Sequence, residues 1–204
     1  MAQAVRTRLA DRSQIATSGD LRIVVLTAAD VPVIQQLYEA NPEYSLQVMG
    51  RPPKPNDAHD DFHDRPPTDI PLREQWMWGF VDSHNELIGV ACIAADLFAP
   101  TVWHIGYFMI ETKQHGAGVA RAIYDALEAY IRDQGAVWLR LGVVVGNAPA
   151  ESFWLRCGYT EVRTRDSYVL GDKTHVVRVM VKPLSGGALS EYLQLVPRDQ
   201  PASP

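Results

Sequence analysis

Two cysteines, Cys92 and Cys157, are too few in a chain of 204 residues for a disulfide framework. Neither has the spacing of a metal-ligand set, and both sit in apolar segments, which suits a reducing cytoplasm. No apolar run approaches the roughly 20 residues that cross a bilayer, so no membrane partner is expected. Residues 1–20 lack the apolar stretch of a signal peptide and read as a flexible leader. Lysines and arginines do not cluster, and the net charge of −5 argues against a nucleic-acid partner. A Gly-Lys-Ser/Thr sequence is absent, which excludes a Walker-type phosphate loop.

What is present suffices for one sizeable core, since 47% of the residues are hydrophobic. Leu21–Leu26 is a β-branched run and reads as a strand, followed by a Thr27-Ala-Ala-Asp30 helix start and a helix to about Ala40. Residues 50–71 carry Pro52, Pro53, Pro55, Pro66, Pro67 and Pro71 among Asp57, Asp60, Asp61 and Asp64. This stretch excludes a long helix and reads as an insertion or a lid. Trp76–Val81 and Leu87–Ala95 form a hairpin pattern, and Thr101–Ile110 a further strand. Val119, Ile123, Leu127 and Ile131 mark the buried face of a helix over about 116–134, which Gly135 ends. Ala136–Val145 is nearly all apolar, as in a strand covered on both faces. A short helix then closes at Gly158, and 159–170 with 174–182 make a final hairpin. The order predicts an α/β (α+β) domain over 21–182, a mixed sheet flanked by helices, with 183–204 as a tail.

The chemistry concentrates in Lys113-Gln114-His115-Gly116-Ala117-Gly118, between strand and helix. Glycines there allow a tight turn whose amides converge on an anion, and the helix N-terminus adds about half a positive charge. A pyrophosphate is the natural guest, although such glycines also occur as a mere turn. A dinucleotide fingerprint fails, because Arg121 stands where its third glycine would be. Further on comes Asn147-x-x-Ala150-x-x-Phe153-Trp154-x-x-x-Gly158-Tyr159. With this second element, residues 102–160 resemble the GNAT superfamily of acyl-CoA-dependent N-acetyltransferases.

The resemblance implies a mostly antiparallel central sheet and acetyl-CoA as cosubstrate. It implies that the stretch Lys113, Gln114, His115, Gly116, Ala117, Gly118, Val119 and Ala120 holds the pyrophosphate through backbone amides. It places the pantetheine arm against the backbone at Phe108 and Met109, and beside Asn147 and Trp154. Two residues depart from the family pattern. Lys113 replaces the usual Arg or Gln, and Trp154 replaces a Tyr that often protonates the leaving thiolate. An indole cannot supply that proton, and Trp154 also reads as a core or pocket-wall aromatic.

Acetyl transfer needs a polarised carbonyl and a base for the ammonium. Glu111 and His104 are the candidate catalytic groups, although Glu111 also reads as a loop carboxylate and His104 as a satisfied strand histidine. Asn41 to Met49, with Tyr44, falls where the family shapes its acceptor pocket. His59, Asp60, Asp61, His63 and Asp64 lack an ordered scaffold, and no metal is expected. Cys157 reads as a small buried hydrophobe. The expected activity is acetyl transfer to a small-molecule or peptide amine. A non-catalytic acyl-CoA sensor of the same fold and a longer acyl donor are the competing readings. The edge of the final hairpin would suit a homodimer.

Overall fold

The computed structural model describes Leu9 and residues 12–201. Eight strands form one sheet in the order β1-β2-β3-β4-β5-β6-β8-β7. Their bounds are β1 Gln14–Ser18, β2 Leu21–Val25, β3 Glu74–Val81, β4 Leu87–Ala95, β5 Val102–Ile110, β6 Trp138–Val144, β7 Thr160–Leu170 and β8 Lys173–Pro183. All neighbours pair antiparallel except β5 and β6, which run parallel.

That one parallel pair follows from its connection. β5 and β6 are joined by α4 (Val119–Asp133), a crossover helix long enough to return the chain to the starting edge. Ile123, Tyr124, Leu127 and Ile131 of α4 are wholly buried against the sheet. Each such aliphatic side chain contributes about 1.5–3 kcal/mol relative to exposure. The same face carries α5 (Ala148–Arg156), whose Trp154 and Phe153 join Phe108, Tyr124 and Tyr159 in an aromatic cluster.

The opposite face carries α1 (Val31–Ala40), α2 (Pro42–Val48), α3 (Asp57–His63) and α6 (Leu189–Leu195). Several expectations change here. β1 lies within the stretch read as a leader, because it pairs with β2 from Gln14↔Val24 to Ser18↔Leu21. Residues 1–8, 10 and 11 lie outside the described residues. The Pro- and Asp-rich insertion holds a helix, α3, since its prolines flank 57–63 and leave that stretch free of them. Arg51 pairs with Asp57 at 2.7 Å, and the Gln35 side chain accepts from the Ala58 amide at 3.1 Å, docking α3 on α1.

The stretch read as a C-terminal tail packs as part of the domain. Tyr192 is fully buried against Trp138. Asp199, also fully buried, accepts two bonds from Arg140, at 2.7 and 3.1 Å, and one from Tyr192, at 2.6 Å. Burial raises the Asp199 carboxyl, but Arg140 and Tyr192 outweigh it and hold its pKa at about 2.

Candidate functional site

The site begins with a defect in β5. Cys92 on β4 faces Tyr107 while Ile93 faces Ile105, so Gly106 is an extra residue, a β-bulge. Parallel pairing of β5 with β6 runs from Val102↔Trp138 to Ile105↔Leu141 and stops at the bulge. Beyond it the two strands separate. The Glu111 amide bonds Ile88 O at 2.8 Å, which sets the alternation of the β4–β5 ladder. Met109 therefore exchanges its bonds with Val90, while Phe108 and Ile110 turn their backbone groups toward the gap. Of the two residues expected beside a pantetheine arm, Phe108 presents free backbone and Met109 does not.

The gap opens toward the glycine turn. Thr112–Gln114 forms one 3-10 turn, and Gly116 and Gly118 follow with φ of +82° and +79°. Only glycine adopts such angles without strain, so both residues are required by the turn itself. A Cβ at either would meet nothing within 4 Å. Among the described residues, the amides of Gly116, Gly118, Val119 and Ala120 find no backbone acceptor. The turn is anchored from beneath. His115 Nε2 lies 3.0 Å from Ile110 O, and the Thr112 amide donates to Asn41 Oδ1 at 2.8 Å. A rigid nest of open amides at a helix N-terminus, beside unpaired strand backbone, fits an extended ligand with a diphosphate at one end. Asn147 caps α5, accepting from the Ala150 amide at 3.4 Å, and borders the gap from the β6 side.

On the face opposite α4 lies a cavity of ≈ 420 Å³ floored by Gly106 to Phe108 and by Leu141 to Val144. Asp61 of α3 enters one side and accepts from Tyr38 Oη at 3.0 Å. Burial raises its carboxyl to about 6, with Asp57, Asp64 and Asp60 adding and the Tyr38 bond subtracting. Tyr44 and Tyr107 meet edge to face at 4.9 Å beside it, and burial raises both phenols. Cys92 also lines the cavity, its thiol pushed up by burial to about 11, which makes it a poor nucleophile.

The two candidate bases are placed differently. His104 lines the cavity, with Nδ1 at 3.0 Å from Arg140 O. Burial and the Arg140 charge push its imidazolium down to about 3, so it is neutral and weakly basic. Glu111 is buried outside the cavity lining and pairs with Lys113 at 3.1 Å, behind the glycine turn. Trp154 is buried in the α5 cluster, 5.5 Å from Phe108, and shows one edge to the cavity.

Sequence similarity points the same way. Residues 34–159 match the acetyltransferase (GNAT) family, well over half of the chain. The chain belongs to the GNAT family. It is an acyltransferase that moves an acetyl group to an amine.

Solved GNAT structures share the fold at low identity. Spermidine N-acetyltransferase from Vibrio cholerae, in complex with CoA and spermine, is 16% identical with a TM-score of 0.63, covering 82% of this chain and 97% of its own. An acetyltransferase from Salmonella typhimurium that modifies the N-terminal serine of ribosomal protein L7/L12 is 18% identical with a TM-score of 0.65, covering 81% and 96%. The ribosomal-protein-S18-alanine N-acetyltransferase from Escherichia coli is 15% identical with a TM-score of 0.58, covering 82% and 96%. No curated protein matches the sequence. Among the described residues no helix is long and apolar enough to cross a membrane, and no cluster suits a metal ion.

The sequence alone did not single out Asp61 or Gly106. Asp61 is one of five Asp and His residues within 59–64, and only docking of α3 shows that Asp61 and Asp64 reach the cavity. Gly106 gave one signal, a lone glycine inside a strand pattern, which often marks a bulge.

Proposed function

We propose that this GNAT acyltransferase uses acetyl-CoA as donor, with Asp61 as the base that accepts the proton of the acceptor ammonium. The observation that carries the reading is the coincidence of three features: the bulge at Gly106, the end of β5–β6 pairing there, and the open amides of Gly116, Gly118, Val119 and Ala120. CoA supplies an acetyl thioester, an activated carbonyl. The amides of Gly116, Gly118, Val119 and Ala120 bind its diphosphate, and Phe108 pairs its backbone with the pantetheine arm. Asn147 flanks the arm, while Trp154 and Phe108 wall it. Lys113, Gln114, His115 and Ala117 shape the turn, and Lys113 with Glu111 stiffens its base.

The amine attacks the carbonyl carbon as the C–S bond breaks. Asp61 takes the ammonium proton before attack, and the second proton released from nitrogen on acylation passes to the departing thiolate, which needs no phenol at position 154 because a thiol pKa near 8.5 makes it a tolerable leaving group. Asp61 takes this role in place of Glu111, which lies outside the cavity, and His104, which at about 3 is a much weaker base than Asp61 at about 6. A sensor without turnover would need no half-buried carboxylate at the acceptor side. α3 and Asp64 at its C-terminal end cover the acceptor side as a lid, and the free Cys92 and Cys157 suit a cytoplasmic setting.

The test is calorimetric titration with acetyl-CoA, CoA and NAD, followed by a thiol-release screen of amines. Binding of both thioester and thiol but not NAD supports the reading. Absence of binding to either removes it.

A further inference from the structure

The cavity has a second charged wall, on the side away from Asp61. Arg165 of β7 and Arg198 of the C-terminal turn line it, next to Arg140 and His104. Arg140 is already matched, in its buried pair with Asp199. Arg165 reaches Asp199 at 3.3 Å and Arg198 O at 3.0 Å, but its Nε is buried with no partner. The Arg198 guanidinium donates to no acceptor among the described residues and lies 4.2 Å from the Phe98 ring centroid. Arg140 lies over the same ring at 4.9 Å.

Phe98 is held between them at a cost. Its φ of +72° is strained for an aromatic residue, and its amide is pinned to Pro71 O at 2.9 Å. Arg140 and Arg165 both reach a single carboxylate, Asp199, and Arg198 stands next to it in the chain. Burial first, and then the neighbouring Arg165 and Arg140 charges, lower the Arg198 pKa. An anion entering the cavity would relieve that repulsion and take up the idle donors, in the forked geometry that guanidinium groups offer to carboxylates.

We infer that the acceptor is an amine that also carries a carboxylate, with its ammonium directed to Asp61 and its carboxylate held by Arg165 and Arg198. This rests on the acetyl-transfer reading above. Tyr107, beside Asp61, is on β5, and Arg165 is on β7, three strands further along the sheet. At about 4.8 Å per strand, less the reach of an arginine, the two ends are on the order of 10 Å apart. A short peptide spans that distance, and an α-amino acid does not.

The experiment uses the full chain with acetyl-CoA. Alanine, dialanine and trialanine are each offered as the free acid and as the C-terminal amide, and thiol release gives kcat/KM. The acid is expected to exceed its amide by about tenfold or more for the two peptides, the size of a hydrogen-bonded charge. Arg198→Ala should collapse that ratio toward one, chiefly through KM, and Arg198→Lys should restore part of it. The ratio measured on the unaltered protein decides without any variant. Failure to bind CoA in calorimetry would remove the transferase reading itself. CoA binding with equal turnover of acids and amides overturns only the carboxylate assignment. So does a lack of both turnover and binding of the peptide acids and their N-acetyl products.

Discussion

Replacing Asp61 by Asn separates a catalytic carboxylate from a structural one. Asn keeps the size of the side chain and an oxygen for the Tyr38 hydroxyl, 3.0 Å away, so the fold should stand. It removes the base, which is worth about 10²–10⁴-fold in rate. The wild-type carboxyl titrates at about 6, so kcat/KM should climb about tenfold per pH unit below 6 and level off above it. In Asp61→Asn that limb should vanish and the plateau should fall by at least about a hundredfold, with CoA affinity unchanged by calorimetry.

Stability should move the other way. A carboxyl raised from 3.8 to about 6 holds its proton more tightly in the folded state. Its contribution is therefore complete below pH 4 and is lost as pH rises through 6. The shift corresponds to about 3 kcal/mol at most, partly screened by the cavity's own water. Asp61→Asn should therefore melt higher than the wild type at pH 7 and level with it at pH 4. A variant that kept its rate and pH limb, or that lost stability at pH 7, would refute the assignment of Asp61 as a strained, functional base.

Gly118→Asp should abolish CoA binding while far-ultraviolet circular dichroism stays native, because a carboxylate at φ +79° would face the nest of amides. Asp199→Asn leaves Arg140 buried without its counter-charge and should cost about 3–5 kcal/mol in urea unfolding. Asp199 is held at about 2, below its ordinary 3.8. Its stabilisation is present above pH 4 and is lost as pH falls toward 2, so the gap between wild type and variant should narrow in acid. Trp154→Tyr should leave CoA binding intact and raise kcat if thiolate departure limits the rate; packing loss alone would lower the melting temperature without changing kcat.

The glycine turn was legible because its requirement is local. Positive φ at residues 116 and 118 and an open helix start can be read from residue type alone, as can the buried stripe Val119, Ile123, Leu127 and Ile131. The strand order from 21 to 182 was legible for the same reason, since apolar alternation and turn residues are properties of neighbours in the chain. β1 and α6 were missed because their patterns are short and weak, and each forms only against a partner distant in sequence. α3 was missed because six surrounding prolines mask a seven-residue helix that α1 holds in place.

What the sequence by itself determined is the family, the fold and the glycine turn, all of which depend on backbone conformations that particular residues enforce. What only the tertiary structure decided is which side chains share the cavity. Asp61 and Arg198 stand 137 positions apart in the chain, in segments that read as insertion and tail. The end of β5–β6 pairing at a single extra glycine opens the floor between them. Their charges and exposures follow from burial and from one another, and no local pattern encodes a desolvated carboxylate or an unmatched guanidinium.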